Sequence, residues 1–162
     1  MKIGFIGLGV MGRPMAGHLI AAGHEVHLHR VKDISRPLVE AGGHEAASAK
    51  AVAERADIII VMVPDTPDVE AVLFGEGGVA AGLGAGKTVV DMSSISPVAT
   101  QAFAARIAEL GCAYLDAPVS GGEAGAKAAS LSIMVGGAQA DFDKLLPVFE
   151  VMGKNITLVG DV

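Results

Sequence analysis

Three glycines near the N-terminus are spaced for binding a dinucleotide. The segment Gly7-Leu8-Gly9-Val10-Met11-Gly12 forms the pattern GxGxxG. In this pattern the first glycine permits a tight turn, the second lets the backbone approach a pyrophosphate, and the third lets helix and strand pack closely. The motif has little specificity alone, but here it follows an apolar run, Lys2–Ile6, and precedes an amphipathic segment, Arg13–Ala22. This context predicts a strand, a phosphate-binding turn and a helix N-terminus.

The end of the next apolar run, Glu25–His29, bears on which nucleotide would bind. An Asp or Glu at this position bonds the ribose 2′-hydroxyl of NAD, whereas an arginine accommodates the 2′-phosphate of NADP. Arg30 stands there, with Lys32 close by. Since a guanidinium forms paired hydrogen bonds with a phosphate, the sequence favours NADP over NAD. Asp33 leaves NAD as the alternative cofactor, because a shifted register would bring its carboxylate near the ribose.

A second glycine-rich loop, Asp116–Ser130, follows another apolar run. Its hydroxyl at Ser120 and the backbone N–H groups of Gly121 and Gly122 are suited to binding an anion without a charged side chain. Taken alone, these residues also fit a flexible turn that leads into a short helix. A third loop, Ala81–Thr88, nearly matches a nucleoside triphosphate P-loop, but a strand-like run follows it where a P-loop requires a helix.

Strand-like and helix-like segments alternate along the chain, which predicts one α/β domain over residues 1–162. We expect a Rossmann-type, doubly wound, mainly parallel sheet with helices on both faces, in which one or both of the last strands run antiparallel. The predicted strands are Lys2–Ile6, Glu25–His29, Asp57–Val63, Lys87–Met92, Ala113–Asp116, Leu131–Val135 and Ile156–Val159. The predicted helices are Arg13–Ala22, Ile34–Glu40, Ala49–Arg55, Thr66–Phe74 (capped by Thr66), Pro97 to Gly111 (capped by Ser96) and Ala140–Met152.

Composition restricts the partners and the compartment. The net charge is −6 and the pI is near 5.2, which argues against nucleic acid and anionic membranes as partners. Hydrophobic residues make up 51% of the chain, which favours a sheet buried on both faces. The single cysteine, Cys112, excludes an internal disulfide and fits the cytoplasm. No apolar run is long enough to span a bilayer. His27 and His29 lack the companion ligands that a metal site requires, so no metal is expected.

Taken together, the motifs resemble those of the β-hydroxyacid dehydrogenases. The matching segments cover the chain in order: GFIGLGVMGRPMA, MVPDTPDVEAVLFGEGG, DMSSISP and DAPVSGG. Within the family they are most similar to the branch that reduces tartronate semialdehyde (2-hydroxy-3-oxopropionate) to D-glycerate with NAD(P)H. The resemblance implies that the full-length enzyme is a homo-oligomer. It leaves open a 3-hydroxyisobutyrate dehydrogenase-like or imine-reducing enzyme, and a non-catalytic nucleotide-binding module is also possible.

The resemblance implies roles for particular residues. Met62, Val63 and Pro64 would line the nucleotide crevice, and Ser94 would approach the nicotinamide ribose. The loop that begins at Ser120 would bind the carboxylate of a small aldehyde substrate.

The resemblance also implies a catalytic lysine and an asparagine on a helix beyond Val162, in an all-helical domain. No residue within the 162 is therefore predicted to be catalytic, and Lys127 is interpreted as an exposed helix lysine. We expect this chain to bind nucleotide and to turn over little substrate by itself.

Overall fold

The computed structural model describes residues 1–162 as one nine-stranded sheet flanked by helices. The strands are β1 Lys2–Ile6, β2 Glu25–His29, β3 His44–Ala46, β4 Ile58–Val61, β5 Thr88–Asp91, β6 Ala113–Asp116, β7 Val119–Ser120, β8 Leu131–Gly136 and β9 Gly153–Gly160. The helices are α1 Gly12–Ala21, α2 Arg36–Glu40, α3 Ala49–Arg55, α4 Thr66–Phe74, α5 Val79–Gly82, α6 Pro97–Ala108, α7 Gly122–Ala128 and α8 Gln139–Met152. None of these helices has the length and apolar character needed to cross a membrane.

The strand order confirms the predicted doubly wound sheet. Strands β3-β2-β1-β4-β5-β6 lie side by side and pair in parallel, and β8 pairs antiparallel with both β6 and β7. Because β9 pairs in parallel with β8, both of the last strands run against the others. The chain leaves β1 toward β2 on one side and later returns to β4 on the other. A ligand crevice in such a sheet forms at this reversal point, outside the carboxyl ends of the strands.

Apolar side chains cover both faces of the sheet, as the composition predicts. A cluster of 22 buried residues joins one face to α1 and α8, through side chains such as Met15 and Phe149. A second cluster of 16 joins the other face to α3 and α6, through Val52 and Phe103. Successive strand residues point to opposite faces, so that Ile60 belongs to the first cluster while Ile59 belongs to the second. The central strand β4 is therefore apolar at every position and is buried along its whole length.

The structure corrects the predicted cap of α4. The N-cap is Asp65, not Thr66: the Asp65 carboxylate accepts the Thr66 N–H at 2.7 Å, and Asp68 accepts the Asp65 N–H at 3.1 Å. The Thr66 hydroxyl instead accepts the N–H of Ser96 at 3.1 Å, in the loop after β5. Ser96 caps α6 as predicted. A reciprocal pair of carboxylates satisfies more of the free N–H groups at a helix start than one hydroxyl does.

Several element bounds also differ from the prediction. The fourth strand ends at Val61, since the following two residues turn into a loop that packs against the glycine turn. Three short elements were missed because they are too brief to show a periodic pattern: β3, β7 and α5. The short helix expected after the turn at Ser120 is α7. The lysine of the P-loop-like segment, Lys87, donates to the carbonyl oxygens of Ala53 and Glu54 and so caps the end of α3.

Candidate functional site: a cleft at the carboxyl ends of the strands

The three motif glycines lie between β1 and α1 and differ in what surrounds them. Gly7 has a φ of +109°, and a Cβ there would overlap the Met62 carbonyl oxygen. A Cβ on Gly12 would overlap the Gly7 carbonyl oxygen and lie 3.1 Å from the Phe5 ring. A Cβ on Gly9 would meet no atom within 4 Å. The protein itself therefore requires the first and third glycines, whereas Gly9 leaves open space above the turn.

Two adjoining cavities make one cleft over this turn. The first, of about 390 Å³, extends toward the end of β2, and the second, of about 340 Å³, extends toward the end of β5. They share Gly7, Gly9, Val63 and Pro64. The structure brings all eleven residues predicted to bind cofactor to the lining of one cavity or the other: Gly7, Leu8, Gly9, Val10, Met11, Gly12, Arg30, Met62, Val63, Pro64 and Ser94.

Basic side chains line the first cavity. Arg13, Arg30 and Lys32 contribute to its wall, and no carboxylate does; Asp33 is not in the lining. Arg30 has a φ of +59°, a left-handed conformation that is uncommon for a residue with a side chain. The buried Ser35 hydroxyl holds the loop that follows, because it accepts the Lys32 N–H at 2.9 Å and donates to the Lys32 carbonyl oxygen at 3.1 Å. This half of the cleft is suited to an anion.

Sequence reasoning missed two residues of this cavity. Arg13 lies in the first turn of α1, and its Nη1 donates to the Leu8 carbonyl oxygen at 3.3 Å, within the glycine turn. The position of Arg13 directly after the GxGxxG motif could have identified it from the sequence. His29 is the last residue of β2, and burial, followed by the charge of Arg30, lowers its pKa. The imidazole is therefore neutral at physiological pH.

Two loops meet beneath the second cavity. The loop after β4 contains Met62 and Val63, and the loop after β5 contains Ser93 and the exposed Ser94. The Ser93 Oγ accepts the Val63 N–H at 2.9 Å, which ties one loop to the other. Met62 and Ser94 line the cavity on either side of that tie.

A buried acidic cluster lies below the same loops and was also missed by sequence reasoning. Asp91 is fully buried, and its carboxylate accepts the Ser93 N–H at 2.9 Å and the Tyr114 hydroxyl at 3.4 Å. Burial raises the pKa of Asp91. Asp116 stands opposite it on β6; burial, and then the charge of Asp91, raise the pKa of Asp116 to about 6. No sequence pattern signalled this cluster, since the two aspartates lie on separate strands.

The predicted substrate loop lies outside the lining of the cleft. Ser120, Gly121 and Gly122 are all exposed, and the two glycines have φ values of +133° and +61°. Ser120 pairs with Ser132 of β8. The helix that follows packs on α1, where the His18 Nε2 lies 2.9 Å from the Ala126 carbonyl oxygen. The role of this loop in binding substrate stays a prediction.

Two further sequence expectations concern possible reactive groups. Lys127 is exposed and pairs with Glu123 at 2.9 Å, as expected of a surface helix lysine. The structure contains no group of three or more His, Cys, Asp or Glu side chains that could hold a metal ion.

Comparison with known proteins identifies the family. The family described as the NAD-binding domain of 6-phosphogluconate dehydrogenase matches residues 2–160. The chain belongs to this family of NAD-binding domains. The 2-hydroxy-3-oxopropionate reductase of Escherichia coli (strain K12) is 56% identical over 160 residues, which are 99% of this chain and 55% of that protein. The resemblance drawn from the motifs is thus confirmed.

Solved structures of complete enzymes share the fold. The 3-hydroxyisobutyrate dehydrogenase of Mycobacterium tuberculosis, solved with L-serine, has a TM-score of 0.91 at 34% identity and covers 100% of this chain and 55% of its own. An imine reductase from Myxococcus stipitatus in complex with NADP+ has a TM-score of 0.90 at 27% identity and covers 99% of this chain and 54% of its own. The chain spans about half the length of the curated relatives that it matches.

Proposed function

We propose that this chain is the NAD(P)-binding domain of a reductase that converts tartronate semialdehyde to D-glycerate. The observation that carries the proposal is the continuous cleft at the reversal point of the sheet, with open space over Gly9 and basic residues at one end. The 56% identity to 2-hydroxy-3-oxopropionate reductase supports the choice of substrate.

The residues of the cleft favour one orientation of a bound dinucleotide. The backbone N–H groups of the glycine turn and the start of α1 would hold the pyrophosphate, where the helix dipole favours an anion. Arg30 and Lys32 would hold a 2′-phosphate, so we propose NADP as the preferred cofactor and NAD as the alternative. Met62 and Ser94 then line the end left for the nicotinamide, which supplies hydride to the aldehyde carbon when it is bound.

The substrate would be held through its carboxylate. Ser120 and the two glycines after it offer an exposed hydroxyl and backbone N–H groups, which suit a carboxylate. A proton must also reach the aldehyde oxygen during reduction, and lysine suits that role. Lys127 is exposed, pairs with Glu123 and does not line the cleft, so we propose that the proton donor belongs to a part of the enzyme outside these 162 residues.

Three further features of the whole enzyme are proposed. It would be a homo-oligomer, a proposal supported by the exposed apolar side chains of Met134 on β8 and Val159 on β9, which are 49% and 64% exposed. It would work in the cytoplasm, a proposal supported by the free, buried thiol of Cys112. Its partners would be small molecules, since the acidic net charge of −6 disfavours nucleic acid.

A second candidate is a 3-hydroxyisobutyrate dehydrogenase-like enzyme. The structural likeness to the Mycobacterium tuberculosis enzyme of that name favours it. Both substrates carry a carboxylate, so the loop at Ser120 serves either. A non-catalytic module would have no use for such a loop.

The test has two parts. Calorimetric titration of the 162-residue chain with NADPH and NADH should show binding, tighter for NADPH. The full-length enzyme should reduce tartronate semialdehyde with a higher kcat/KM than it shows for the aldehyde of 3-hydroxyisobutyrate, while the chain alone turns over little of either. A chain that binds neither nucleotide would refute the domain assignment. A reversed preference in the full-length enzyme would refute the substrate.

A further inference from the structure

We propose that Asp91 is a positioning residue that acts through Ser93 to hold the nicotinamide end of the cleft. The inference rests on the proposed function, because it concerns the same cleft. It adds a residue that touches neither substrate nor cofactor.

The contacts run from the core to the floor of the cleft. Asp91 ends β5 and is fully buried, and its Oδ1 accepts the Ser93 N–H at 2.9 Å. Ser93 is 1% exposed, and its Oγ accepts the Val63 N–H at 2.9 Å. The buried carboxylate is therefore connected through two hydrogen bonds to Val63, in the loop after β4.

This connection acts where strand pairing has ended. The last regular backbone bond between β4 and β5 runs from the Met92 N–H to the Val61 carbonyl oxygen, at 2.8 Å. Beyond it no backbone hydrogen bond joins the two loops, and the first link between them is the Ser93–Val63 bond. Ser94 lines the cleft directly after Ser93, and Met62 lines it directly before Val63. Loss of the bond should let the two cavity-lining residues shift relative to each other.

A carboxylate suits this position because it accepts at two oxygens. One oxygen takes the Ser93 N–H and the other takes the Tyr114 hydroxyl at 3.4 Å, so the group cannot rotate freely. Burying a carboxylate lowers the stability of the folded protein, and an apolar residue of the same size at this position would lower it less. Its hydrogen bonds and its place beneath the loops both indicate that it orients Ser93.

The experiment compares two ligands on the same chain. Ser93→Ala removes the bond to Val63 with a small change in volume. Calorimetry would measure the Kd for NADPH and for 2′-phospho-ADP-ribose, which lacks the nicotinamide ring. We expect the NADPH Kd to rise about five- to tenfold, as for one lost orienting hydrogen bond, with the 2′-phospho-ADP-ribose Kd unchanged. A merely structural role would weaken both ligands together.

Two more variants complete the design. Asp91→Asn keeps one acceptor oxygen and should shift the NADPH Kd in the same direction as Ser93→Ala. Ser48→Ala is the matched control: it removes a hydroxyl that accepts the Ala51 N–H at 3.0 Å outside the lining of the cleft, and should leave both affinities unchanged. If Asp91→Asn does not fold, Tyr114→Phe tests Asp91 instead, because it frees the second carboxylate oxygen and should raise the NADPH Kd by a smaller factor than Ser93→Ala does. Suppose that the wild type binds both ligands. If the Ser93 or Asp91 variants then weaken the two ligands equally, or weaken neither, this inference alone is overturned. If the wild type binds neither ligand, the proposed function is overturned as well.

Discussion

Gly9 and Gly12 should respond in opposite ways to the same added methyl group. Gly9 has no positive φ, and a Cβ there meets no atom within 4 Å. Gly9→Ala should therefore fold normally and gain about 0.4–1 kcal/mol, since alanine restricts the unfolded chain more than glycine does. For a domain of this size the melting temperature should rise by about 1–4 °C.

The same methyl group should impair nucleotide binding. It occupies the open space where a pyrophosphate would approach the backbone of the turn. Hydrogen bonds lengthened beyond about 3.5 Å are effectively lost, and each bond to a charged group contributes about 1.5–3 kcal/mol. The Kd for NADPH should therefore rise at least tenfold, because about 1.4 kcal/mol corresponds to a factor of ten.

Gly12→Ala is the matched control, with the same change three residues away. Its Cβ would overlap the Gly7 carbonyl oxygen, so the helix and the turn must move apart. We expect a loss of about 1–3 kcal/mol, or about 2–12 °C in melting temperature. Thermal unfolding followed by circular dichroism, together with calorimetry, measures both effects. Wild-type affinity for NADPH in Gly9→Ala would refute the placement of the pyrophosphate over this glycine.

Three further changes test other parts of the structure. Arg30→Asp should weaken NADPH at least tenfold and spare NADH in calorimetry; aspartate tolerates a positive φ, so backbone strain would not explain the loss. Asp116→Asn should raise the melting temperature at pH 7.5, and the gain should shrink toward pH 4. Burial raises the pKa of Asp116 to about 6. The stability that the protonated Asp116 side chain contributes is therefore fully present below about pH 4 and is lost as the pH rises through 6. Lys87→Met should lower the melting temperature by a few degrees without changing NADPH affinity, because Lys87 caps α3 at the amino end of β5, whereas the cleft lies at the carboxyl end.

The amino-acid sequence determined the architecture and most of the cleft. Continuous apolar runs such as that of β4 can be buried only in a sheet covered on both faces, and the glycine pattern after β1 can serve only a tight turn into a helix. These features are local, since they depend on neighbours within a few residues. Most cleft residues could also be predicted, because they directly follow strands and a parallel sheet brings the carboxyl ends of its strands to one edge.

Only the tertiary structure decided the contacts between distant segments. Val63 and Ser93 are thirty residues apart, and nothing in either sequence neighbourhood indicates that one holds the other. The proximity of Asp91 and Asp116 depends on the register of β5 against β6. The sequence predicted that one or both of the last strands run antiparallel, but that both do follows only from the pairing of β8 with β6 and of β9 with β8. Local patterns specify which segments form elements and which faces are apolar. Burial, charge repulsion and hydrogen bonding between elements arise only when packing brings them together, because these interactions act across space and not along the chain.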